Sequence, residues 1–165
     1  MISLYEVDDE YIDYLQKFDK NVLSTKADNR NQTRKYIGIL LHNKNCMYFA
    51  PLSSYKPDVY DSMYESKSLK KIGNMGVLRI NNMIPVFDKV IHKVDFSEVL
   101  DEKYRNLLLS EYRILKPRER EIRTDSRIVY YYRTNNQNSG KKLYKICCDF
   151  KLLENKMIEY TCKVI

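Results

Sequence analysis

Tryptophan is absent from this chain, glycine occurs only four times and histidine only twice. So little glycine argues against a Gly-rich loop of the kind that cradles phosphate groups. The two histidines, His42 and His92, stand alone, and no G-x-S-x-G, H-E-x-x-H or paired-carboxylate pattern occurs. The sequence therefore argues against the enzyme classes that these motifs define.

The four cysteines lack the spacing of a metal site or of a disulfide framework. Cys147 and Cys148 are adjacent, Cys46 and Cys162 are isolated, and there is no C-x-x-C or Cys/His pattern. We expect free thiols that pack in a core, as in a reducing compartment, and neither a metal nor another cofactor.

Long apolar runs are also missing, since none approaches the roughly 20 residues of a membrane span. The N-terminus carries acids where a signal peptide would have a basic end and an apolar run. We therefore expect a cytoplasmic protein that does not contact a membrane. The 165 residues predict one domain, 1–165, with a sheet core over about 1–92 and a helical part over about 95–165.

Positive charge and tyrosine are abundant instead, with a net charge of +7 and 15 tyrosines. Residues 1–20 hold two bases and six acids, whereas residues 21–70 hold eight bases and four acids and residues 101–165 hold fifteen and nine. Lys and Arg neutralise phosphate, and Tyr stacks on bases. The composition thus favours a nucleic-acid partner slightly over the alternative that the charge serves only solubility.

A central hairpin is predicted by two apolar segments, residues 36–41 and 46–51, joined across an Asn-rich turn. Both are apolar at nearly every position, which is typical of strands buried on two faces. We expect the second strand to break at Pro51 and to present Ser53, Ser54 and Lys56 at its end. Hydroxyls and an amine at the exit of a rigid strand are well placed for chemistry.

The other elements are predicted from periodicity and turn residues. Their order is a strand at 2–7, a helix at 9–18 capped by Asp8, a polar loop at 19–35, a second loop at 57–71, strands at 76–80 and 83–86, a helix at 102–115, a basic helix from Lys116, and one last helix with Leu143, Ile146, Phe150, Leu153, Met157 and Tyr160 on its face.

The basic helix carries a row of cations at steps of four, three and four residues: Lys116, Arg120, Arg123 and Arg127. The row ends near three consecutive tyrosines, as an RNA groove would. Interspersed acids leave open the alternative of a solvated, salt-bridged surface. Three further bases, Arg30, Arg34 and Lys35, precede the hairpin and are candidates for phosphate contact.

The chemistry that these residues allow is metal-free transesterification of RNA. The 2′-hydroxyl of RNA is already a nucleophile, so the protein need only orient it, move protons and stabilise the charge on phosphorus. Lys56, Ser53, Ser54, Tyr11 and Arg34 are the candidate groups. A Ser-Ser-Tyr-Lys segment is also a common loop composition, and a lone tyrosine such as Tyr11 is more often a core residue.

Several segments resemble the ToxN/AbiQ family of endoribonuclease toxins from type III toxin–antitoxin and abortive-infection systems. They are YIDYLQKFD, KYIGILL, YFAPLSSYK, INNMIPV and LLSEYRIL. The resemblance implies an α+β fold, a compact and strongly twisted antiparallel sheet with flanking helices. It also implies cleavage without metal that leaves a 2′,3′-cyclic phosphate and a 5′-hydroxyl.

The family's Ser/Thr-Ser-x-Lys motif falls on Ser53, Ser54 and Lys56, and its tyrosine in the first helix falls on Tyr11. The lysine that the family has before the first hairpin strand falls on Arg34, with Lys35 adjacent. Arginine keeps the charge but is effectively never deprotonated, so phosphate binding is favoured there over a role as base.

The resemblance further implies an antitoxin RNA of tandem repeats, each a folded, pseudoknot-like unit. The same site would process it and hold it in a closed ring of protein and RNA, and cellular RNA would be the substrate. Two alternatives from other classes are a non-catalytic RNA-binding module on the same basic surface and a structural or DNA-contacting phage-type protein.

Overall fold

The computed structural model describes residues 1–25, 32–44, 46–54, 56 and 66–164. Within these residues an antiparallel sheet of seven strands has the spatial order β4-β5-β3-β2-β1-β7, with β6 paired to β3 outside this path. The predicted α+β class is confirmed. The strands are β1 Ser3–Val7, β2 Tyr36–Asn43, β3 Cys46–Ser54, β4 Leu69–Ile72, β5 Gly76–Arg79, β6 Ile84–Val86 and β7 Ile91–Lys93.

Strand β3 is the centre of the sheet because it is paired along both edges. One edge pairs with β2 over residues 46–51. The opposite edge pairs with β6 over residues 47–49 and then with β5 over residues 52–54. Its middle residues Tyr48, Phe49 and Ala50 are fully buried. The two-sided burial predicted for the hairpin is thus confirmed.

The predicted break of this strand at Pro51 is wrong. Pro51 lies opposite Tyr36 within the ladder, and the next residue resumes the hydrogen bonding, with Leu52 N donating to Lys35 O at 2.9 Å. Pairing with β5 then holds the strand extended to Ser54. Both serines therefore lie inside the strand instead of in a loop after it.

Position 38 on β2 must be glycine because the ring of Phe49 packs against its backbone. The ring of Phe49 occupies the space that any side chain at position 38 would need. The pairing of β2 with β3 shifts in register between Ile37 and Leu41, next to this contact. The ring of Tyr5 packs on the same Phe49 at 4.6 Å between centroids.

Within the described part of the chain, one helix lies between β1 and β2, and the other four follow the last strand. They are α1 Asp9–Gln16, α2 Glu102–Leu115, α3 Glu119–Thr134, α4 Lys142–Ile146 and α5 Phe150–Val164. The predicted bounds of α2 are confirmed, and its first turn is capped by Asp101, whose carboxylate accepts from Tyr104 N at 3.0 Å. Residues Lys116–Arg118 form a 3-10 turn that contains Pro117 and joins α2 to α3. Among the described residues, every helix is too short or too polar to span a bilayer.

The prediction of one long last helix is wrong, because the chain breaks at Cys147, Cys148 and Asp149. Both thiols are buried, and Cys148 N donates to Asn81 O at 2.9 Å. The Asn21 amide donates to the carbonyl of Cys147 at 3.0 Å. Asp149 then accepts from Leu152 N at 3.2 Å and starts α5. Tertiary hydrogen bonds thus replace those that a continuous helix would make.

Strand β4 lies within the segment that the sequence predicted as a second loop, of which residues 57–65 are outside the described ranges. Lys70 and Lys71 made this segment polar in sequence and so favoured a loop, yet Lys70 is buried. Its ammonium group lies 2.6 Å from Asp125 and 2.8 Å from Glu121 of α3. Because Glu121 and Asp125 neutralise the charge of Lys70, β4 can pack as an edge strand of the sheet beside α3.

A partly buried cluster around Glu154 joins the far end of the hairpin to two helices. Glu154 Oε1 accepts hydrogen bonds from Asn43 Nδ2 at 2.7 Å, Tyr48 OH at 2.7 Å and Tyr130 OH at 2.8 Å. Burial acts to raise the pKa of Glu154, but these hydrogen bonds and one from Lys151 outweigh it and lower the pKa below its usual value. The ionised carboxylate therefore stabilises the fold.

Glu154→Gln is expected to lower the free energy of unfolding by about 1–3 kcal/mol near neutral pH, because charge-assisted hydrogen bonds to buried donors are weakened. The stabilisation by Glu154 is present above the unfolded pKa of 4.5 and is lost as the pH falls through the lower folded pKa. Urea unfolding at about pH 7 and about pH 3 should show the difference between variant and wild type shrinking in acid. Glu159→Gln, in an exposed pair with Lys156, is the control and should change stability little at either pH; an equal loss in both variants would contradict the assignment.

Candidate active site

At the end of β3, where it pairs with β5, the two serines lie on opposite faces of the sheet. Ser53 lies opposite Val77 and Ser54 opposite Gly76 on β5. Because successive side chains of a strand point to opposite faces, Ser53 shares a face with Val77 and Arg79, and Ser54 shares a face with Gly76. The Ser-Ser pair thus presents one hydroxyl to each side.

A small cleft of about 40 Å³ lies between the end of β3 and helix α2. Ser53, Ser54, Lys35, Tyr104, Leu108 and Glu111 are among its lining residues. Glu111 reaches the strand directly, because a Cβ at Gly76 would overlap its carboxylate and stand 3.0 Å from the carbonyl oxygen of Ser53. The absence of a side chain at position 76 therefore lets a carboxylate approach the serines.

Lys35 supplies a buried cation to this cleft. Only 5% of the residue is exposed, and its ammonium group pairs with Glu6 and donates to Thr33 O at 3.1 Å. It also lies 5.5 Å from the ring centroid of Tyr104. Burial acts to raise the pKa of Glu6, but the hydrogen bond and charge of Lys35 outweigh it, so the pKa of Glu6 is lowered.

Arg79 contacts Ser53 on the other face. Arg79 Nε donates to Ser53 Oγ at 2.8 Å. The arginine is the last residue of β5 and lies opposite Leu69 on β4, so its backbone is held in the ladder between β4 and β5. A guanidinium is thereby fixed beside a hydroxyl of the Ser-Ser-x-Lys motif.

Arg34, expected to bind phosphate, is buried and bonded to backbone. Its Nε donates to Ser24 O and its Nη1 to Leu52 O, both at 2.8 Å. The second bond holds the residue just before Ser53. The structure thus makes Arg34 a support of the strand end and exposes only 5% of the residue.

Tyr11, expected at the site, lies in the core. It is fully buried, and its hydroxyl donates to Pro85 O at 2.7 Å. Burial raises the pKa of Tyr11 well above its usual value. Pro85 lies opposite Tyr48, six residues before Ser54 on β3, a separation of about 20 Å in an extended strand. The structure therefore does not bring Tyr11 to the serines.

Lys56 is exposed two residues beyond β3, which keeps it accessible to a ligand at the strand end. Arg30, the other base predicted in the preceding loop, lies outside the described residues.

The predicted basic row is only partly a helix face. Lys116 lies in the 3-10 turn, and Arg120 and Arg127 are exposed on α3. Arg123 is less exposed and pairs with Glu119 at 3.0 Å. Three of the four cations thus remain accessible, and the alternative of a salt-bridged surface holds for the fourth.

A larger surface hollow of about 360 Å³ lies on the far side of the Lys35–Glu6 pair. It is lined by Glu6, Asp8, Asp9, Glu10, Thr33 and His92. Its negative charge is unsuited to a phosphate. Within the described ranges, no three His, Cys, Asp or Glu side chains converge as metal ligands.

Sequence reasoning missed Arg79 and Glu111, and it placed Lys35 only as a phosphate contact. Glu111 carried a signal, since it interrupts the buried face of α2 between Leu108 and Leu115. An acid on a buried helix face calls for a reason. For Arg79, at the end of a predicted strand, no pattern indicated which strand would lie alongside.

Comparison with known proteins decides the family. The family model for the toxin ToxN of type III toxin–antitoxin systems matches residues 3–158. The chain belongs to this family. It is 34% identical to endoribonuclease ToxN of Bacillus thuringiensis subsp. kurstaki, over 96% of this chain and 84% of that protein. It is 31% identical to endoribonuclease AbiQ of Lactococcus lactis subsp. lactis, over 98% and 91%. The family predicted from the sequence is confirmed.

Solved structures of ToxN-family relatives have the same fold. One, from work on selective toxin inhibition by a non-coding RNA pseudoknot in type III systems, superposes with a TM-score of 0.83 at 32% identity, over 97% of this chain and 98% of that one. The structure of AbiQ, a lactococcal anti-phage endoribonuclease, also superposes with a TM-score of 0.83, at 30% identity and 98% coverage of both chains.

Gly76→Ala is expected to impair the activity of the site while the protein remains folded, because the new methyl group displaces the Glu111 carboxylate and crowds Ser53 O. Activity and thermal melting of the variant should be compared with those of Gly140→Ala, where nothing lies within 4 Å of the added Cβ. Equal activity in the two variants would show that the approach of Glu111 has no part in the site.

Proposed function

We propose that this chain is an endoribonuclease toxin that cleaves RNA by transesterification without a metal. The 2′-oxygen attacks the adjacent phosphorus and the bond from phosphorus to the 5′-oxygen breaks. One proton leaves the 2′-hydroxyl and one is delivered to the 5′-oxygen. The products are a 2′,3′-cyclic phosphate and a 5′-hydroxyl, and no water is consumed.

The observation that carries the proposal is the arrangement at the end of β3. Two hydroxyls, Ser53 and Ser54, line one cleft with the cation of Lys35. Arg79 donates to Ser53 at 2.8 Å, and the exposed Lys56 follows two residues after Ser54. The phosphorane intermediate gains negative charge on its oxygens, so fixed donors and cations stabilise it more than they stabilise the bound substrate. The relatives named endoribonucleases support the choice of RNA as substrate.

We assign Ser54 and Lys56 to the scissile phosphate, with Ser53 supporting them. Of Lys35, Arg79 and Lys56, Lys56 is the exposed one, so we assign it to contact the bound phosphate. Arg34 and Tyr11 have their side chains committed to backbone carbonyls, so we give them roles in holding the site and the core. Glu111 lies on the Ser54 face beside Gly76, and we assign its carboxylate the role of accepting a proton.

We also propose that a repeat antitoxin RNA with a pseudoknot fold inhibits the toxin, is processed at the same site and is held with it in a closed ring. A relative in whose system an RNA pseudoknot inhibits the toxin supports this partner. The exposed cations Lys116, Arg120 and Arg127 supply phosphate contacts outside the cleft. Each such contact adds to the decrease in RNA affinity that a higher salt concentration causes.

The test is incubation of the purified protein with a defined set of RNAs, including one copy of its repeat RNA, in excess EDTA, followed by mapping of the product ends. Cleavage with cyclic-phosphate ends is expected for the wild type and is expected to be lost in Ser54→Ala. If the protein binds the RNAs tightly but cleaves none of them, with or without added Mg²⁺, the result would instead support the non-catalytic RNA-binding module.

Lys56→Ala is expected to reduce the single-turnover cleavage rate by at least about 100-fold, the usual effect of removing one preorganised donor to a developing anion. Folding should be unchanged because the side chain is exposed. Lys89→Ala removes another exposed lysine and should cleave at the wild-type rate. Full activity in Lys56→Ala would remove this residue from the site.

A further inference from the structure

The hydrogen bond between Arg79 and Ser53 determines what the Ser53 hydroxyl can do. A serine hydroxyl has one proton to donate and two lone pairs that accept. Arg79 Nε donates to Ser53 Oγ at 2.8 Å, so one lone pair is engaged. A guanidinium cannot accept a proton in return, because arginine is not deprotonated in proteins. The arginine thus makes Ser53 an acceptor toward itself and leaves the proton of Ser53 for another group.

The position of Arg79 fixes the direction of this hydrogen bond, in which Arg79 donates and Ser53 accepts. Arg79 is the last residue of β5, which is paired on one side with β4 and on the other with β3. The next residue, Ile80, is fully buried and opens a 3-10 turn. Arg34 holds the carbonyl of Leu52 immediately before the serine. Both partners of the bond therefore stand on rigid backbone, as preorganised catalytic donors require.

We propose that Ser53 is a fixed hydrogen-bond donor to a non-bridging oxygen of the scissile phosphate, and that Arg79 is the positioning residue that orients it. This inference rests on the proposed ribonuclease function. It excludes Ser53 as a nucleophile or as the base that takes the 2′-proton, since its neighbour supplies protons and accepts none. The positive charge of Arg79 strengthens the donor and favours the extra negative charge of the phosphorane.

The division of the serines between two faces supports separate tasks. The Ser53 face holds the guanidinium of Arg79, whereas the Ser54 face holds the carboxylate of Glu111 beside Gly76. Oxygen atoms that gain negative charge belong on the cationic side, and the group that loses a proton belongs near the carboxylate. Ser53 is therefore the donor, and proton transfer from the 2′-hydroxyl takes place on the side of Ser54.

The test uses an RNA cleaved by the wild type, with one non-bridging oxygen at the mapped cleavage site replaced by sulfur as a separated Rp or Sp isomer. Sulfur accepts hydrogen bonds poorly, so the wild type should cleave one isomer more slowly than the other, by roughly 10-fold or more. Ser53→Ala should remove this difference by slowing cleavage of the isomer that keeps oxygen opposite Ser53, so that both isomers react at similar rates. Ser53→Thr, which keeps the hydroxyl, should retain it.

Arg79 is tested in the same assay with Arg79→Ala, Arg79→Lys and the double variant with Ser53→Ala. Because Arg79 acts through Ser53, the isomer preference should be lost in Arg79→Ala, and Arg79→Ala should add little to Ser53→Ala. Arg79→Lys keeps a charge and a donor and should restore part of the rate. Arg105→Ala is the control, since Arg105 donates a hydrogen bond to the carbonyl of Val99 at 3.1 Å, outside the site.

Each result has a defined meaning. A wild type with equal rates on both isomers, or an isomer preference that persists in Ser53→Ala, overturns the donor role of Ser53 while leaving the ribonuclease function intact. Effects of Arg79→Ala and Ser53→Ala that multiply in the double variant overturn the positioning role, because Arg79 would then contact the substrate itself. Failure of the wild type to cleave any RNA would instead overturn the proposed function, and this inference with it.

Discussion

The pairing of β3 on both edges is the constraint on which the rest of the structure depends. This strand pairs with β2 over residues 46–51 on one edge, and with β6 over 47–49 and β5 over 52–54 on the other. The strand carries fully buried side chains in its middle and two serines at its end. A segment held in this way is among the most rigid in a small protein. The two serines at its end are held by the same pairing.

Strand geometry then converts two adjacent serines into two different sites. The period of two sends Ser53 toward Arg79 and Ser54 toward the side where Glu111 approaches over Gly76. An identical side chain thus meets a cation on one face and a carboxylate on the other. For a reaction that must both stabilise negative charge and move protons, this separation of environments is useful.

The comparison with the ToxN family and the geometry do not select the same residues. Arg34 and Tyr11 follow from the resemblance, yet both bond to backbone carbonyls and are shielded from solvent. The cationic role that a family lysine would have at position 34 is open in this chain to Lys35 and Arg79. Both lie beside the serines. A site can therefore keep its charge while the residues that supply it change.

Elements with strong local signals could be predicted from the sequence. Apolar patterns predicted the hairpin and α2, because the spacing of apolar side chains reflects which face of an element is buried. The Ser-Ser-x-Lys segment was selected by its place at the end of the hairpin and by the resemblance to the family. The extension of β3 past Pro51, the break at Cys147, the contact of Arg79 with Ser53 and the approach of Glu111 over Gly76 arise from tertiary packing. Each depends on partners far away in the chain, such as Asn81 for Cys148 and β5 for Ser54. Local patterns record the period of an element, whereas the identity of its neighbours follows from packing the whole chain.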